Sequence, residues 1–449
     1  MVETNPAASF QQQQLNQQDT IAPLDWLADI NHAGRAAFAA APWPNRKTEA
    51  WKYCSLKTLA ADSYSAAVPV TPVDADTLAS TITIAGLDSY QLVLVNGQID
   101  TALSSALALE QVVLFADATS EQQARIVERL SNARQQSNHH LFNDLNDAAL
   151  SSGVLITIGR NSPLDKPLQI CSVNTGADHA YSINSRVLVE LETSAELTLI
   201  EQFASVTQSS DNSFTNNQTD ILVGDNARLT HYRLNQMQQA AAFIGTSRID
   251  LQRDAQYLAF HLGLGSALTR NDLVVNHNRG GSHSEISGVY VPQESQLVDF
   301  HTCIEHVAAQ CTSNEVFRGI INDQAKAVFN GRIHIHKNAQ KTLAELSNKN
   351  LLLTNKAEIN TKPELEIYAD DVKCAHGATV AQLDDKARFY MQSRGISEQE
   401  AQVMLSFGFI NELLEALPHP AVGDWLRPLL AQRFGRVQAF THEQIEALS

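Results

Sequence analysis

Hydrophobic and polar residues alternate with a period of two through the middle of the chain, from about residue 153 onwards. Segments such as "GVLITIG", "SRVLVELE" and "ELTLIEQF" place apolar side chains at every second position. This pattern is typical of β-strands that bury one face, and helical spacing is rare between the segments. The middle of the chain is therefore predicted to consist of short strands.

The strand pattern repeats along the chain. Five pieces align, and each consists of a strand, a tight polar turn, a small residue and a second strand. The small residues are Ala195, Ala227, Ala255, Ser295 and Ala325. Their spacing suits a β-solenoid in which each coil contributes more than one strand. A β-sandwich built from regular hairpins is the structural alternative.

Different patterns flank this core. The N-terminal part has a Gln-rich leader, "QQQQLNQQ", predicted to be flexible, then Ala-rich helical patterning and a small mixed α/β region with helices in "SEQQARIVERLSNARQQ" and "HLFNDLNDAAL". Helical patterns resume after "IYADD". The predicted organisation is an N-terminal, mostly helical domain over 1–150, a β-solenoid core over 151–380 and a C-terminal helical domain over 381–449.

One C-terminal helix has clear boundaries. Ser397 and Glu400 have the spacing of a capping box, and Pro418 ends the segment. An apolar stripe runs along this helix, and either packs on its own domain or offers an edge to a partner. The stripe consists of Val403, Phe407, Ile410, Leu414 and Leu417, widened by Met404 and Leu413.

Charge and length narrow the classes of function. The 449 residues include 32 basic and 49 acidic side chains, a net charge of −17, which disfavours nucleic acid and anionic membranes as partners. No apolar run approaches the roughly 20 residues that span a bilayer, and the N-terminus lacks the pattern of an export signal. A cytoplasmic location is predicted.

Familiar catalytic motifs are absent from the sequence. It contains no GxxxxGK[ST], GxGxxG, GxSxG or HExxH. Its five cysteines are scattered and form no CxxC, so a self-contained zinc or iron–sulfur site is not predicted. Glu190, Glu192 and Asp220 lie on predicted strands. Because solenoids that process carbohydrate use acidic grooves, a stand-alone cytoplasmic β-helix enzyme or binding module for carbohydrate is one alternative.

Two histidine-containing segments are weaker candidates for metal sites. His334 and His336 share one face of a predicted strand, as a two-histidine metal site requires, although surface histidines are commonly only solvated. The segment "DFHTCIEHVAAQC" contains two histidines and two cysteines that no single strand brings together. Core cysteines and surface histidines are the preferred interpretation of this second segment, which contributes His301, Cys303, His306 and Cys311.

The segment "KCAHG" is the strongest chemical candidate, because it lies where strands give way to helices. Cys374 and His376 can face the same side of a strand. A thiolate is a soft ligand and imidazole a borderline one, so the pair can hold two corners of a tetrahedral metal. The remaining ligands must come from inorganic sulfide, from elsewhere in the fold, or from a second chain. The alternative is a buried thiol beside an ordinary polar histidine.

Three segments carry a resemblance to a known family. They are "PWPNRKTEAWKYCSL", "IYADDVKCAHGATVAQLDDKARFYMQSRGI" and "EAQVMLSFGFINELLEAL". Together they resemble the SufB/SufD family of iron–sulfur cluster assembly scaffolds, over an N-terminal motif, the repeated middle and the C-terminal block. The Lys–Cys–x–His–Gly–Ala–Thr segment resembles the SufD branch, with Ala375 where relatives commonly have serine. The N-terminal motif consists of Arg46, Glu49, Trp51 and Tyr53.

The resemblance implies a fold and a set of partners. The fold is a right-handed parallel β-helix flanked by an N-terminal helical (mixed α/β) domain and a C-terminal helical domain. The chain would be a subunit without catalytic activity in a complex with a SufB-type paralogue and the ABC-type ATPase SufC, and it would support iron acquisition. A homodimer can form when the chain is alone, through the exposed edge of the β-helix.

The resemblance also implies roles for particular residues. A nascent iron–sulfur cluster would bind transiently at the interface with the SufB-type partner, with no cofactor held tightly by the isolated chain. His376 would be a direct ligand, and Cys374 a second interface residue. The family gives no support for His334 and His336. The helix over about 398–417 would dock the ATPase through Val403, Met404, Phe407, Ile410 and Leu414.

Overall fold

A parallel β-solenoid of about seven turns forms the centre of the molecule, with helical regions on both sides. The computed structural model describes residues 6–18, 24–65, 73–135, 139–160, 163–206 and 212–435. The predicted mainly β fold with a solenoid core is confirmed, because the core strands pair in parallel and not as the hairpins of a sandwich. In the described part of the chain, no helix is long and apolar enough to cross a membrane.

The N-terminal part combines helices with short strands that join the solenoid. Its helices are α1 (Pro6–Gln18), α2 (Ala28–Ala40), α3 (Lys57–Ala61), α4 (Ala75–Ile82), α5 (Ser120–Arg134) and α6 (Leu141–Ala148), and its strands are β1 (Tyr90–Val95), β2 (Gln98–Ile99) and β3 (Val112–Leu114). Helices α5 and α6 lie in the two segments predicted to be helical.

The Gln-rich leader forms most of α1, and its flexibility stays a prediction. Phe10 anchors this helix: its buried ring packs edge-on against Trp43 and Phe214, with centroids 5.3 and 6.0 Å away. The Gln11 side chain also donates a hydrogen bond to the carbonyl of Ala41 at 3.0 Å. Composition alone did not reveal that one aromatic residue in a polar segment would attach it to the core.

The solenoid consists of two strands per coil. The strands are β4 (Val154–Ile158), β5 (Leu168–Asn174), β6 (Tyr181–Leu191), β7 (Glu196–Ser205), β8 (Ser213–Val223), β9 (Arg228–Gln236), β10 (Ala242–Leu251), β11 (Gln256–Gly263), β12 (Leu268–His277), β13 (His283–Tyr290), β14 (Leu297–His306), β15 (Thr312–Ile321), β16 (Lys326–Ile335), β17 (Thr342–Leu352), β18 (Glu358–Ile367) and β19 (Val372–Gln382). Even-numbered strands from β4 to β18, with β3, form sheet A; odd-numbered strands from β5 to β19, with β1 and β2, form sheet B.

Each coil stacks on the previous one in register, so that inward-facing residues form columns. One column in sheet A consists of β-branched residues that are all buried, and its members lie 26 to 32 residues apart in the sequence. Burying each such side chain stabilises the fold by about 1.5–3 kcal/mol. The column runs through Val189, Ile221, Ile249, Val275, Ile304 and Ile333.

Tight corners connect sheet A to sheet B within a coil. At the second repeat, Asn226 adopts a left-handed conformation with φ of 56°, and the buried Ala227 that follows donates its N–H to the carbonyl of Gly224 at 3.1 Å. Asparagine tolerates this conformation better than most residues, and the small side chain of Ala227 is enclosed inside the corner. The same arrangement recurs at Ser194–Ala195 and Asp254–Ala255.

The fourth predicted small residue was misaligned. Ser295 is exposed, and the neighbouring Gln296 takes the inner corner position, where its N–H donates to the carbonyl of Gln293 at 3.1 Å. The left-handed residue there is Glu294, two positions before the inner residue rather than one. The fourth and fifth predicted pieces also lie at the opposite edge of the solenoid, where the chain passes from sheet B to sheet A, between β13 and β14 and between β15 and β16.

Helices cover the outer faces of both sheets. On sheet B lie α8 (Glu398–Glu415) and α9 (Pro420–Gly435), preceded by α7 (Asp385–Ser393). The predicted capping box of Ser397 and Glu400 begins α8. The Tyr232 hydroxyl in sheet B accepts a hydrogen bond from the His419 N–H at 2.8 Å, which fixes the α8–α9 loop on the sheet. On sheet A, the Asn143 side chain of α6 donates to the Thr246 hydroxyl at 3.0 Å.

A buried polar cluster interrupts the apolar interior of the solenoid. The carboxylate of Glu201 lies 2.9 Å from His231 Nε2 and accepts hydrogen bonds from Arg233 Nη1 at 2.7 Å and from the Thr219 hydroxyl at 2.7 Å. Burial by itself would raise the pKa of Glu201, but Arg233 and His231 lower it to about 2. The carboxylate is therefore ionised in the folded chain.

We predict that Glu201→Gln lowers the free energy of unfolding by about 3–5 kcal/mol at pH 7, because it leaves the buried Arg233 charge without its partner. In the wild type this contribution is fully present above the unfolded-state pKa of about 4.5 and disappears as the pH falls towards 2. Urea denaturation at several pH values should therefore show the two proteins converging in stability below pH 4. Glu345→Gln, at an exposed strand position, is the control; equal losses for both variants would contradict the prediction.

Candidate functional site

The solenoid ends with two open strand edges. Strand β18 pairs with β16 and β19 pairs with β17, and no other described strand pairs with the outer edge of either. Burial changes accordingly: β17 alternates between buried and exposed residues, whereas almost every residue of β19 is exposed. The backbone N–H and C=O groups at such an edge are available to pair with another chain.

Cys374 and His376 lie on this last rung and face the same way. Cys374 stacks on Ala344 of β17 and His376 stacks on Leu346. Ala344 and Leu346 are only 0% and 3% exposed because they point into the solenoid core. Cys374 and His376 therefore continue two inward-facing columns beyond the last covered coil. They stand at the mouth of the solenoid, with Cys374 half-buried and His376 exposed.

The local environment keeps the Cys374 sulfur protonated. Partial burial raises the pKa of the Cys374 thiol, and a hydrogen bond from the backbone of Ala344 offsets part of that effect. A soft metal binds the thiolate and releases the proton, so metal binding here competes with protonation. Two side chains supply two ligands, and in the described part of the chain no third His, Cys, Asp or Glu joins them in a metal-binding group.

Exposed apolar side chains concentrate near the same end of the solenoid. Eight large hydrophobic residues are exposed in the described chain, and five of them lie between residues 367 and 390. Helix α7, which follows β19, has no buried residue at all. An apolar surface beside an open sheet edge is typical of a site that another protein covers. The five residues are Ile367, Tyr368, Val380, Phe389 and Tyr390.

His334 and His336 lie elsewhere, on the flank of sheet A, and the structure brings a third group to them. His334 Nδ1 lies 2.6 Å and His336 Nε2 lies 2.9 Å from Oε2 of Glu305. Glu305 stands in register with His334 on the neighbouring strand β14. Glu305 was not predicted from the sequence, although its separation from His334 is one coil length, 29 residues, which is the signal that could have found it.

The segment around residues 301–311 is only partly as predicted. Cys303 and Cys311 are buried and His301 is half-buried, but His306 is fully buried, so its prediction as a surface histidine was wrong. Its ring stacks on His277, one coil earlier, with centroids 4.5 Å apart. Burial lowers the pKa of His306 to about 4, so the imidazole is neutral at pH 7.

His301 and Cys303 lie on one face of β14 and His306 lies on the other, as the alternation requires. Cys311 joins His277 and His306 in a buried group, where the Ser282 hydroxyl lies 2.8 Å from His277 Nδ1 and donates to Cys311 Sγ at 3.3 Å. His301 instead lies 3.1 Å from the carboxylate of Asp299. The four predicted residues thus belong to different environments.

The apolar stripe of α8 packs on the molecule itself. Val403, Phe407, Ile410 and Leu414 are buried in one cluster with sheet B and α9, while Met404 is half-buried. These four side chains are fully engaged in the chain's own core. Docking of a partner on this helix stays a prediction, and among the five predicted residues only Met404 has surface to offer it.

The N-terminal motif fastens the N-terminal region to the solenoid. The Trp51 ring lies 3.8 Å from the guanidinium carbon of Arg270, which donates to Asp299 at 2.9 Å. Glu49 forms an ion pair with Lys362 of β18, close to the open end. Arg46 and Tyr53 are exposed.

The carboxylates considered for a carbohydrate enzyme are held in other interactions. Glu190 pairs with Arg125. Asp220 accepts a hydrogen bond from Arg186 at 2.8 Å and lies 3.4 Å from Arg248. Glu192 accepts from the backbone N–H of Arg160 at 3.1 Å. Glycoside hydrolysis needs two carboxyl groups facing one substrate, whereas each of these three groups already binds a basic side chain or a backbone N–H.

Comparisons with known proteins identify the family. The SufBD core domain of the SUF system for iron–sulfur cluster assembly matches residues 173–409, and the SufBD N-terminal region matches residues 9–170. The chain belongs to the SufBD family. The resemblance noted in its sequence is thereby confirmed, over both the solenoid and the N-terminal region.

Several relatives are similar over most of their length. The iron–sulfur cluster assembly protein SufD of Escherichia coli strain K12 is 33% identical over 393 residues, which cover 87% of this chain and 89% of that protein. A SufBD family protein of Synechocystis is 29% identical, covering 87% of each chain. SufD of Bacillus subtilis strain 168 is 27% identical over 66% of this chain and 67% of its own length. This SufBD family member is thus a homologue of SufD proteins.

We predict that Cys374 is the cysteine that reacts with iodoacetamide in the native chain, because the other four are buried. Its alkylation should be slower than that of a free thiol at pH 7 and should accelerate as the pH rises above 9, since its pKa is raised. Mass spectrometry of the intact protein and its peptides measures the site and rate. Cys374→Ser should abolish native-state labelling; fast labelling of a second cysteine in the folded protein would contradict the prediction.

Proposed function

We infer that this chain is a non-catalytic scaffold subunit that contributes the open end of its solenoid to an interface with a SufB-type paralogue. A nascent iron–sulfur cluster would form at that interface, as a transient product and not as a resident cofactor. Cys374 and His376 would face it from this side. The proposal includes a SufC-type ATPase partner and a role in supplying iron.

The arrangement of β19 carries the proposal. Within the described chain, the strand presents an unpaired edge and, on the same rung, a thiol and an imidazole that occupy inward-facing columns of the solenoid. A second solenoid that continues the sheets would pair with the edge and enclose both side chains. The same edge can accept a second copy of this chain, which would make a homodimer the competing state when the paralogue is absent.

The two candidate ligands have different chemistry. The exposed imidazole of His376 is a ready nitrogen ligand, whereas Cys374 must first lose its proton. His376 is therefore assigned as the direct ligand, and Cys374 as a second donor that acts once the interface closes. The iron atoms of an iron–sulfur cluster accept thiolate and imidazole ligands. The partner would complete the ligand set.

We predict that His376→Ala reduces the yield of cluster on the reconstituted complex at least ~10-fold, because even indirect disturbance of a metal ligand costs that much in affinity. Cys374→Ala should reduce it as well. Cluster is measured by its visible absorption and by the iron and sulfide bound per complex, under anaerobic conditions. Size-exclusion chromatography should show that both variants still bind the SufB-type paralogue.

The matched control is His283→Ala, which removes a half-buried histidine from a strand far from the last rung. It should leave the cluster yield unchanged. Full cluster yield with the doubly substituted Cys374/His376 chain would refute the proposed site. Loss of the complex in Val380→Lys, a change at an exposed apolar position of β19, would separately support docking through this edge.

We predict that Met404→Glu weakens capture of a SufC-type ATPase by about 10-fold, the effect of one interface anchor worth roughly 1.4 kcal/mol, while leaving the melting temperature nearly unchanged. Val307→Glu, at another partly exposed apolar position, is the control and should bind normally. Ile410→Glu places a charge in the core and should unfold the chain, so its loss of binding would carry no information. Normal binding by Met404→Glu would exclude this face of α8.

A further inference from the structure

A second group of donor atoms lies on the flank of the solenoid, distinct from the open end. It consists of Glu305 on β14, His334 on β16 and His336 just after β16. All three donor atoms lie within 4.8 Å of one another. In a tetrahedral site with metal–ligand distances near 2.0–2.1 Å, donor atoms stand about 3.3 Å apart. The observed separations therefore need only small movements to receive an ion.

Neighbouring side chains orient the Glu305 carboxylate. Its Oε1 accepts hydrogen bonds from Arg332 Nη1 at 3.1 Å and from Cys303 Sγ at 3.4 Å. Arg332 is fixed in turn by two hydrogen bonds to Glu366, at 2.8 and 3.0 Å. These contacts occupy Oε1 and leave Oε2 directed at both imidazoles. Such outer hydrogen bonds are the usual means of holding a carboxylate ligand in place.

An open groove gives solvent and ions access to the group. A cavity of about 490 Å³ on sheet A is lined by Glu305 and His336 together with Arg129, Asp250, Asn276 and Asn278. The His336 side chain is 41% exposed, whereas those of Glu305 and His334 are mostly buried. The fold thus holds Glu305 and His334 in place, and His336 lies on the open side, from which an ion would arrive.

The fully buried group of His277, His306 and Cys311 is a weaker candidate. Both ring nitrogens of His277 already lie within hydrogen-bond distance of serine hydroxyls, at 2.8 and 3.0 Å. All three residues are enclosed. An ion would have to reach these enclosed residues and displace the two hydrogen bonds. The flank group, in contrast, lies beside an open groove.

We propose that Glu305, His334 and His336 form a binding site for one divalent first-row transition-metal ion. Two imidazole nitrogens and one carboxylate oxygen suit Zn²⁺ or Fe²⁺ and disfavour Mg²⁺, which prefers oxygen ligands. Positions on the groove side would be completed by water. The site uses residues of this chain alone, so it goes beyond the proposed role of the open end and does not depend on it.

The test uses the full chain with Cys374→Ser and His376→Ala as background, so that the open end cannot contribute. Zn²⁺ is titrated into the chelator-treated protein in competition with a chromophoric chelator. One ion per chain should bind, and His336→Gln and Glu305→Gln should each weaken binding by about 10- to 100-fold or more. His283→Gln serves as the matched control and should bind normally. X-ray absorption should show nitrogen and oxygen ligands with imidazole scattering and no sulfur.

Several results would overturn the site. They are an absence of Zn²⁺ binding to the background chain, unchanged binding after Glu305→Gln and His336→Gln, a sulfur ligand in the absorption spectrum, or displacement of Zn²⁺ by a tenfold excess of Mg²⁺. Circular dichroism melting verifies that each variant folds. His336→Gln is the safest variant, because its side chain is the most exposed of the three. Because the background lacks both open-end donors, none of these results bears on the interface proposal.

Discussion

The in-register stacking of successive coils is the constraint on which the rest of this structure depends. Because parallel strands pair residue by residue, each side chain stands on the one that lies a coil earlier in the sequence. The buried column from Val189 to Ile333 is one result. The alignment of Glu305 with His334 is another, on the outer face. A slip of one residue would exchange the two faces and destroy both arrangements.

The same constraint explains why functional chemistry appears at the end of the solenoid. One coil before the last rung, the inward positions are occupied by Ala344 and Leu346, and buried polar groups in the covered coils, such as His277 and Cys311, are hydrogen-bonded. One coil further, Cys374 and His376 occupy the same columns but remain in contact with water. On the last rung, inward-facing candidate ligands therefore stay in contact with water.

Sequence patterns predicted the features that depend on local periodicity. The alternation predicted the strands and their stacking, and the capping box predicted the start of α8 at Ser397. The side shared by Cys374 and His376 followed from their spacing of two. What the patterns did not reveal are relations between coils, which include Glu305 beside His334 and His277 beside His306. Those pairs depend on coil length, which varies from 26 to 32 residues along the buried column of sheet A.

Burial was the second quantity that periodicity could not supply. Both faces of each sheet are largely covered, one by the solenoid interior and the other by helices, so alternation does not tell which side chains are solvated. The α8 stripe shows this: Val403 and Ile410 belong to a cluster shared with sheet B and α9, not to a free surface. Glu201 shows the converse, since a charged residue lies inside the solenoid with its own ion-pair partners.

The two candidate metal-binding positions differ in what would complete them. At the open end the described residues supply a thiol and an imidazole but no third donor, so another chain would have to complete the site. On the flank it supplies two imidazoles and an oriented carboxylate, so only water is needed. The two positions also differ in the softness of their ligands. The soft sulfur of Cys374 at the open end favours an iron–sulfur product, whereas the nitrogen and oxygen donors on the flank favour a single hydrated metal ion. Metal found at one position therefore says nothing about the other.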